Sequence, residues 1–217
     1  DDGQMISPAE FIPVAEDSGL IVPLGQWAIH AAARTLADWD RSSGGCAVSA
    51  YIAVNVSAIQ LSRDDVAGIV RHSLTANRVN ADRLMIELTE SAIIGDPDVA
   101  LSVLRELKSL GTRIAMDDFG TGYSNLAYLQ ELPLDVLKID RSFVDRMTED
   151  KDKAAIVRTI QSLAEALEMQ TTAEGVETAE QAAKLKAIGC NYGQGYYFAR
   201  PMAAADALNY WAASRSA

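Results

Sequence analysis

Two adjacent carboxylates, Asp117 and Asp118, stand near the middle of the chain in the stretch Arg113 to Asn125, RIAMDDFGTGYSN. Like charges this close repel and lose hydration at a cost, so a cation is their natural neutraliser. Arg113 to Met116 reads as a buried strand, because Ile114 and Met116 are apolar and nothing there breaks extension. Successive side chains of a regular strand point to opposite faces, so the two aspartates converge on one site only if the strand ends between them. Gly120 and Gly122 supply the freedom for that turn. An isolated pair of this kind is most simply a solvated strand-to-loop turn. Here the rest of the chain repeats the arrangement.

The repetition lies in a series of apolar segments, each carrying a polar residue at or near its end. Tyr51 to Val56 holds Asn55, Leu84 to Leu88 holds Glu87, Val136 to Asp140 holds Lys138, and Gln170 to Ala173 runs into Glu174. The intervals are 32 positions from Asn55 to Glu87, 30 to Asp117, 21 to Lys138 and 36 to Glu174. Each is long enough for a crossover helix, so the strands should be parallel. Nearly continuous apolar strands imply that both faces are covered. A barrel and a doubly wound sheet both fit. The carboxyl ends of the strands are where barrel active sites are built. Five such residues in series, of metal-ligand and acid–base types, favour catalysis over packing.

Helices must span the intervals. Ser7, Pro8 and Glu10 form a capping-box pattern that opens a helix at about Pro8, ending near Gly19. A longer helix follows from about Pro23, and Ser42 to Gly45 reads as a loop. Ser62 with Asp65 is expected to cap the next helix, whose apolar face is Val66, Ile69, Val70 and Leu74. Further helices are expected from Asp96-Pro97 to Gly111, around Ser124 to Gln130, over Lys153 to Glu168, after the Thr178/Gln181 cap, and from about Ala204. Tyr196 to Phe198 is expected to be a strand.

Composition bounds the function. The 217 residues are 49% hydrophobic and 23% charged with a mean hydropathy of +0.02, which fits one soluble globular domain with a sizeable core. A net charge of −11 argues against bulk nucleic acid, which wants a basic face, but leaves room for a small phosphate ligand held through metal ions. Cys46 and Cys190 are far apart without metal-type spacing and read as reduced thiols of a cytoplasmic protein. No apolar run approaches the ~18 residues of a membrane span. His30 and His72 sit on helices without partners at metal spacing, and Glu149 to Asp152 reads as a solvated helix start.

In order and spacing, NVS at Asn55, ELTES at Glu87, DDFGTGYS at Asp117, LKID at Leu137, AEGVE at Ala173 and GQGYYFARP at Gly193 closely resemble the EAL domain. PAEFIPVAEDSGLI near the start matches as well, so the resemblance covers essentially the whole chain. It implies a TIM-like (β/α)8 barrel that hydrolyses the bacterial second messenger cyclic di-GMP to the linear dinucleotide with Mg²⁺ or Mn²⁺. It implies roles too. Asn55 and Glu87 match ligands of a first metal, Asp117 a carboxylate shared by two metals, and Asp118 a ligand of the second. Oxygen donors suit hard divalent ions, and two metals ~3.5–4 Å apart can activate water and stabilise charge on a phosphate. Lys138 matches a lysine beside the attacking water, Glu174 a residue near that water and the second metal, and Gln194 a residue that orients the site. Asp140 matches a nearby polar partner, while Glu90 and Glu177 match supports of the loop after Asp117. For the last two, an exposed carboxylate is the competing account. Tyr196, Tyr197 and Phe198 are offered to a guanine base, with core packing expected for at least two of them.

One departure from the family pattern is large. The Glu-x-Leu motif that names the family, which supplies another first-metal ligand, would precede PAEFIP, and the first two barrel strands with it. The start at Asp1-Asp2-Gly3 without methionine suggests a fragment, so the chain is expected to lack the N-terminal strands and, if it truly began at Asp1, to be a poor enzyme. An upstream sensory or diguanylate-cyclase domain and a homodimer are the expected context. The competing function class is a module that binds cyclic di-GMP without cleaving it. A Schiff-base aldolase using Lys138 explains neither the aspartate pair nor Glu87.

Overall fold

The computed structural model describes residues 6–43, 49–120 and 129–214. Six strands form one wholly parallel sheet in sequential order: β1 (Ile52–Asn55), β2 (Leu84–Thr89), β3 (Arg113–Phe119), β4 (Val136–Ile139), β5 (Gln170–Ala173) and β6 (Tyr192–Gly193). The sheet curls into a half-barrel, and helices pack on its outer side. Of the two α/β architectures that the strand spacing left open, this is the barrel, as the EAL resemblance implied. β1 and β6 are the two edges of the sheet among the described residues.

The sequence patterns account for most of the helices. α1 (Pro8–Ser18) starts with proline at its first turn and ends where Gly19 adopts a left-handed φ of 76°. Ser7 is its N-cap, but its side chain makes no capping bond, so the anticipated capping box does not form there. α2 (Ile21–Ser42) buries Ile29, Ala33 and Leu36 against the sheet and α4. The expected Ser62/Asp65 cap is split in two. Ser57 and Gln60 form a capping box on a separate helix, α3 (Ala58–Arg63), which contains Ser62, and Asp65 caps α4 (Val66–Asn77).

Two further short helices escaped the periodicity reading because neither completes two turns: α5 (Glu90–Gly95) and α7 (Arg141–Val144). Between them lies α6 (Pro97–Ser109), followed by the left-handed Gly111. Then come α8 (Lys151–Ala166), α9 (Ala179–Ile188) with its Thr178/Gln181 capping box, and α10 (Ala204–Ser214). Asp150 caps α8 through the backbone N–H groups of Asp152 and Lys153, so the acidic run is a helix start as expected. The helix anticipated at Ser124 and the loop Ser42 to Gly45 fall largely outside the described residues, as does Cys46. Cys190 is a free thiol.

The two faces of the sheet bury different things. Ile86, Leu88, Ile114, Met116, Leu137 and Ile139 point outward into one continuous apolar core shared with the helices. Strand alternation sends the intervening residues inward. There Met85, Ala115 and Val136 form a small apolar layer with Tyr51 beside it. One step further toward the carboxyl ends, the inward positions are Glu87, Asp117 and Lys138. The interior therefore has an apolar floor and a charged upper layer, the division expected of a barrel whose chemistry sits at the carboxyl end. No described helix is long and apolar enough to cross a membrane.

Candidate active site

The charged layer is assembled by register. Across the β1–β2 ladder Asn55 lies opposite Glu87, Glu87 lies opposite Ala115 on β3, and Lys138 lies opposite Thr172 on β5. Glu174 follows β5 directly, and its N–H donates to the Ile139 carbonyl at 3.0 Å. With Asp117 on β3, five neighbouring strands thus bring polar residues to the carboxyl end of the sheet, Asp117 staggered in register beyond Glu87 and Glu174 beyond Lys138.

At β3 the structure corrects the expected turn. The strand does not end between the aspartates but continues to Phe119, with a bulge between Met116 and Phe119 that sets one extra residue against β4. Asp118 sits in the bulge with a left-handed φ of 53°, and its N–H donates to Asp117 Oδ1 at 3.0 Å. A bulge breaks the two-face alternation and re-aims a side chain, which is how two successive residues reach one site. A left-handed conformation costs an aspartate less than most residues, because its short polar side chain bonds locally. Gly120, at φ 95°, makes the turn that follows.

Lys138 is the hub. Only 4% exposed, its Nζ lies 2.7 Å from Glu87 Oε2, 3.0 Å from Asp117 Oδ1 and 2.6 Å from Glu174 Oε1. Burial disfavours the ammonium, but Glu87, Glu174 and Asp117 outweigh it and hold the lysine pKa above its ordinary value. Three neighbouring carboxyls, Glu87, Glu174 and Asp118, are shifted upward too. Burial raises Glu87 and Glu174, and Lys138 only partly opposes it. Asp118 is raised by burial and then by the charges of Asp117 and Asp140. Glu87, Asp117, Asp118 and Glu174 are four carboxylates against the single ammonium of Lys138, so the cluster carries an excess of negative charge.

That excess, with an all-oxygen donor set, fits a hard divalent cation. Asp117, Asp118 and Glu174 can each bring one oxygen to within 4.8 Å of the others. Glu87 lies on the same ammonium, and Asn55 stands beside it at the exposed end of β1.

The remaining expected residues are more loosely gathered. Asp140 is the N-cap of α7, accepting from Ser142 N–H at 2.9 Å, and its charge reaches Asp118. Gln194 is exposed, but its backbone is fixed: its N–H donates to Ala173 O at 2.8 Å and its carbonyl accepts from Val176 N–H at 3.0 Å. Glu90 is buried at the start of α5, and neither of its oxygens has a hydrogen-bond partner among the described residues. Glu177 is exposed at the entry to α9, with its N–H donating to Gln181 Oε1.

The strand expected at Tyr196 to Phe198 is instead a turn, since β6 is Tyr192–Gly193. All three aromatics there are exposed rather than packed in a core, with Tyr196 under the Arg200 guanidinium at 4.6 Å. Sequence reasoning missed Tyr51, whose ring lies under Arg113 at 5.3 Å on the barrel floor and whose phenol is raised chiefly by burial. Its place at the start of an apolar strand was the available signal.

The chain resembles known proteins. A family model described as the EAL domain matches residues 1–201. The bifunctional diguanylate cyclase/cyclic di-GMP phosphodiesterase MucR of Pseudomonas aeruginosa is 42% identical over 94% of the chain, and the cyclic di-GMP phosphodiesterase PdeR of Escherichia coli is 40% identical over 92%. The chain spans 29% and 30% of the length of those two proteins. A solved structure described as PaMucR phosphodiesterase in complex with c-di-GMP superposes with a TM-score of 0.89 at 41% identity, covering 95% of this chain and 82% of that one. With a family-model match that spans nearly all of its residues, the chain belongs to the EAL domain family.

Proposed function

We propose that this domain is a metal-dependent phosphodiesterase that hydrolyses cyclic di-GMP to the linear dinucleotide pGpG. The observation that carries the reading is the buried Lys138 ammonium held by Glu87, Asp117 and Glu174 beside the Asp117/Asp118 bulge. A merely structural lysine needs one counter-charge. A surplus of carboxylates suits a site that takes up cations and a phosphate together.

In this reading Asn55, Glu87, Asp117 and Asp118 hold two divalent ions, Mg²⁺ or Mn²⁺. Such ions lower the pKa of water and offset charge on the phosphate oxygens. The chain's own groups do the rest. Lys138 presents a fixed, buried positive charge to the negative charge that the phosphate oxygens carry as the water attacks. Glu174, whose carboxyl is raised by burial, is suited to receive a proton from the attacking water. The water oxygen bonds to phosphorus, one ring P–O bond breaks, and the released sugar oxygen takes up a proton, which opens the ring. Gln194 orients the site, and Asp140, Glu90 and Glu177 support the loops around it. The proposal extends to a cytoplasmic homodimer regulated by a sensory or diguanylate-cyclase domain, the latter in line with MucR's bifunctional description.

Hydrolysis should require Mg²⁺ or Mn²⁺ and stop when a chelator is added. Saturating metal should also raise the melting temperature, since a ligand at about 100 times its Kd stabilises by about 2.7 kcal/mol. Undiminished turnover in chelator would overturn the two-cation assignment.

A further inference from the structure

The strand that leads to Gln194 is the least anchored of the six. β6 is two residues long, with the register pairs Thr172↔Tyr192 and Ala173↔Gly193 alone. So short a ladder specifies register weakly, and a slip of one residue would turn each following side chain to the other face. A second device holds it. Asn191, immediately before β6, accepts the Thr171 N–H at its Oδ1 (2.8 Å), and its own N–H donates to Thr171 Oγ1 (3.3 Å). Thr171 is wholly buried on β5 and donates its hydroxyl to Gln161 Oε1 on α8 (2.6 Å). Gln161, 3% exposed, in turn donates from Nε2 to Glu165 Oε1 (2.9 Å). One continuous polar network therefore ties α8, β5 and the entrance to β6, and a satisfied buried network is rigid.

The far end of β6 is tied as well. Gln194 bonds through its backbone to Ala173 and to Val176, the residues that bracket Glu174. Gly195 comes next, where the Cβ of any other residue would overlap the Val176 backbone. The segments carrying Glu174 and Gln194 are thus one unit, and its register is set from Asn191.

We infer that Asn191, Thr171 and Gln161 are positioning residues of the candidate site: they fix the register of β6 on β5, and so where Gln194 and Glu174 stand, without touching the reacting atoms. The inference rests on the phosphodiesterase reading for its effect on turnover, and on the hydrogen-bond geometry alone for its effect on structure.

The test compares Asn191→Leu, which removes the acceptor, with Asn191→Asp, which keeps an oxygen for the Thr171 N–H. The leucine variant should lose about 10–100-fold in kcat with KM within about threefold of the parent, and the aspartate variant should recover kcat to within about threefold. Unchanged kcat in the leucine variant, or an aspartate variant as impaired as the leucine one, would overturn the inference. Should the leucine variant fail to fold, amide exchange in the unmodified protein decides the matter. The N–H groups of Thr171, Val176 and Gln194 should open together with one free energy, whereas a Gln194 amide exchanging far faster than that of Thr171 would refute the coupling. If the unmodified protein cleaves no cyclic dinucleotide, the phosphodiesterase reading fails, and the exchange comparison still decides the inference because it does not depend on turnover.

Discussion

Replacing Lys138 with alanine should lower turnover by a factor of about 10²–10³, the loss seen when one preorganised charge-stabilising group is removed from an active site. It should also have a second, separable effect. The Lys138 ammonium lies within 3.0 Å of Glu87, Asp117 and Glu174, and its loss leaves those carboxylates facing one another in a buried site. Removing one partner from a buried ion pair costs about 3–5 kcal/mol, and the lower end applies here because Glu174 is 19% exposed. The metal-free variant should therefore melt well below the parent. Mg²⁺ or Mn²⁺ should restore most of the melting temperature, since a cation again faces the carboxylates, but it should not restore turnover. Melting curves and initial rates, each with and without metal, separate the two effects. A variant whose rate returns along with its stability would make Lys138 a structural counter-charge only.

Asp117→Asn is expected to act in the opposite pattern. Asp117 pushes the pKa of Glu87, Asp118 and Glu174 upward by like-charge repulsion, and it contributes one of the three contacts to Lys138. Neutralising it relieves repulsion while weakening one contact, so the metal-free melting temperature should stay near that of the parent. The metal response should not survive. Asp117 stands in the oxygen cluster with Asp118 and Glu174, and an amide is a poorer ligand for a hard cation than a carboxylate. Most of the stabilisation of about 2.7 kcal/mol expected at 100 times the parent Kd should vanish, together with at least about 10²-fold in turnover. Thermal shifts across a metal titration read the first effect without reference to activity. A full metal-induced shift in the variant would show that Asp117 is no ligand.

The contrast between these two variants explains what the sequence made legible. Parallel β-strands separated by helices follow from the intervals between Asn55, Glu87, Asp117, Lys138 and Glu174, because strand length and crossover length are set by backbone geometry. Alternation then forces alternate residues of β2, β3 and β4 inward, so the meeting of Glu87, Asp117 and Lys138 was implicit in their positions. The bulge was not. A bulge is one extra residue in a ladder, and it shows only when the partner strand is known, so DDFG read as a strand that ends early.

The short helices α5 and α7 were hidden for a related reason. Each is capped by a residue inside a motif that was read for its chemistry, Thr89 in ELTES and Asp140 in LKID, and neither is long enough to display an apolar period. Tyr196 to Phe198 misled in the other direction. Three aromatics in a row have strand propensity, but Gly195 makes a close approach to Val176 and a turn follows, so the ladder ends at Gly193. The Asn191–Thr171–Gln161 network was invisible in sequence because its members are polar residues 10 and 20 positions apart, on α8, on β5 and just before β6.

One measurement tests the central claim most directly: incubation of the protein with cyclic di-GMP and Mn²⁺, then with Mg²⁺, with chromatographic separation of the nucleotides over time. A hydrolase with Lys138, Glu174 and the Asp117/Asp118 pair in its site should convert the cyclic compound into linear pGpG over many turnovers, and the product should not form in chelator. Stoichiometric retention of intact cyclic di-GMP with either metal, and no linear product, would contradict the account and make the domain a receptor for the nucleotide.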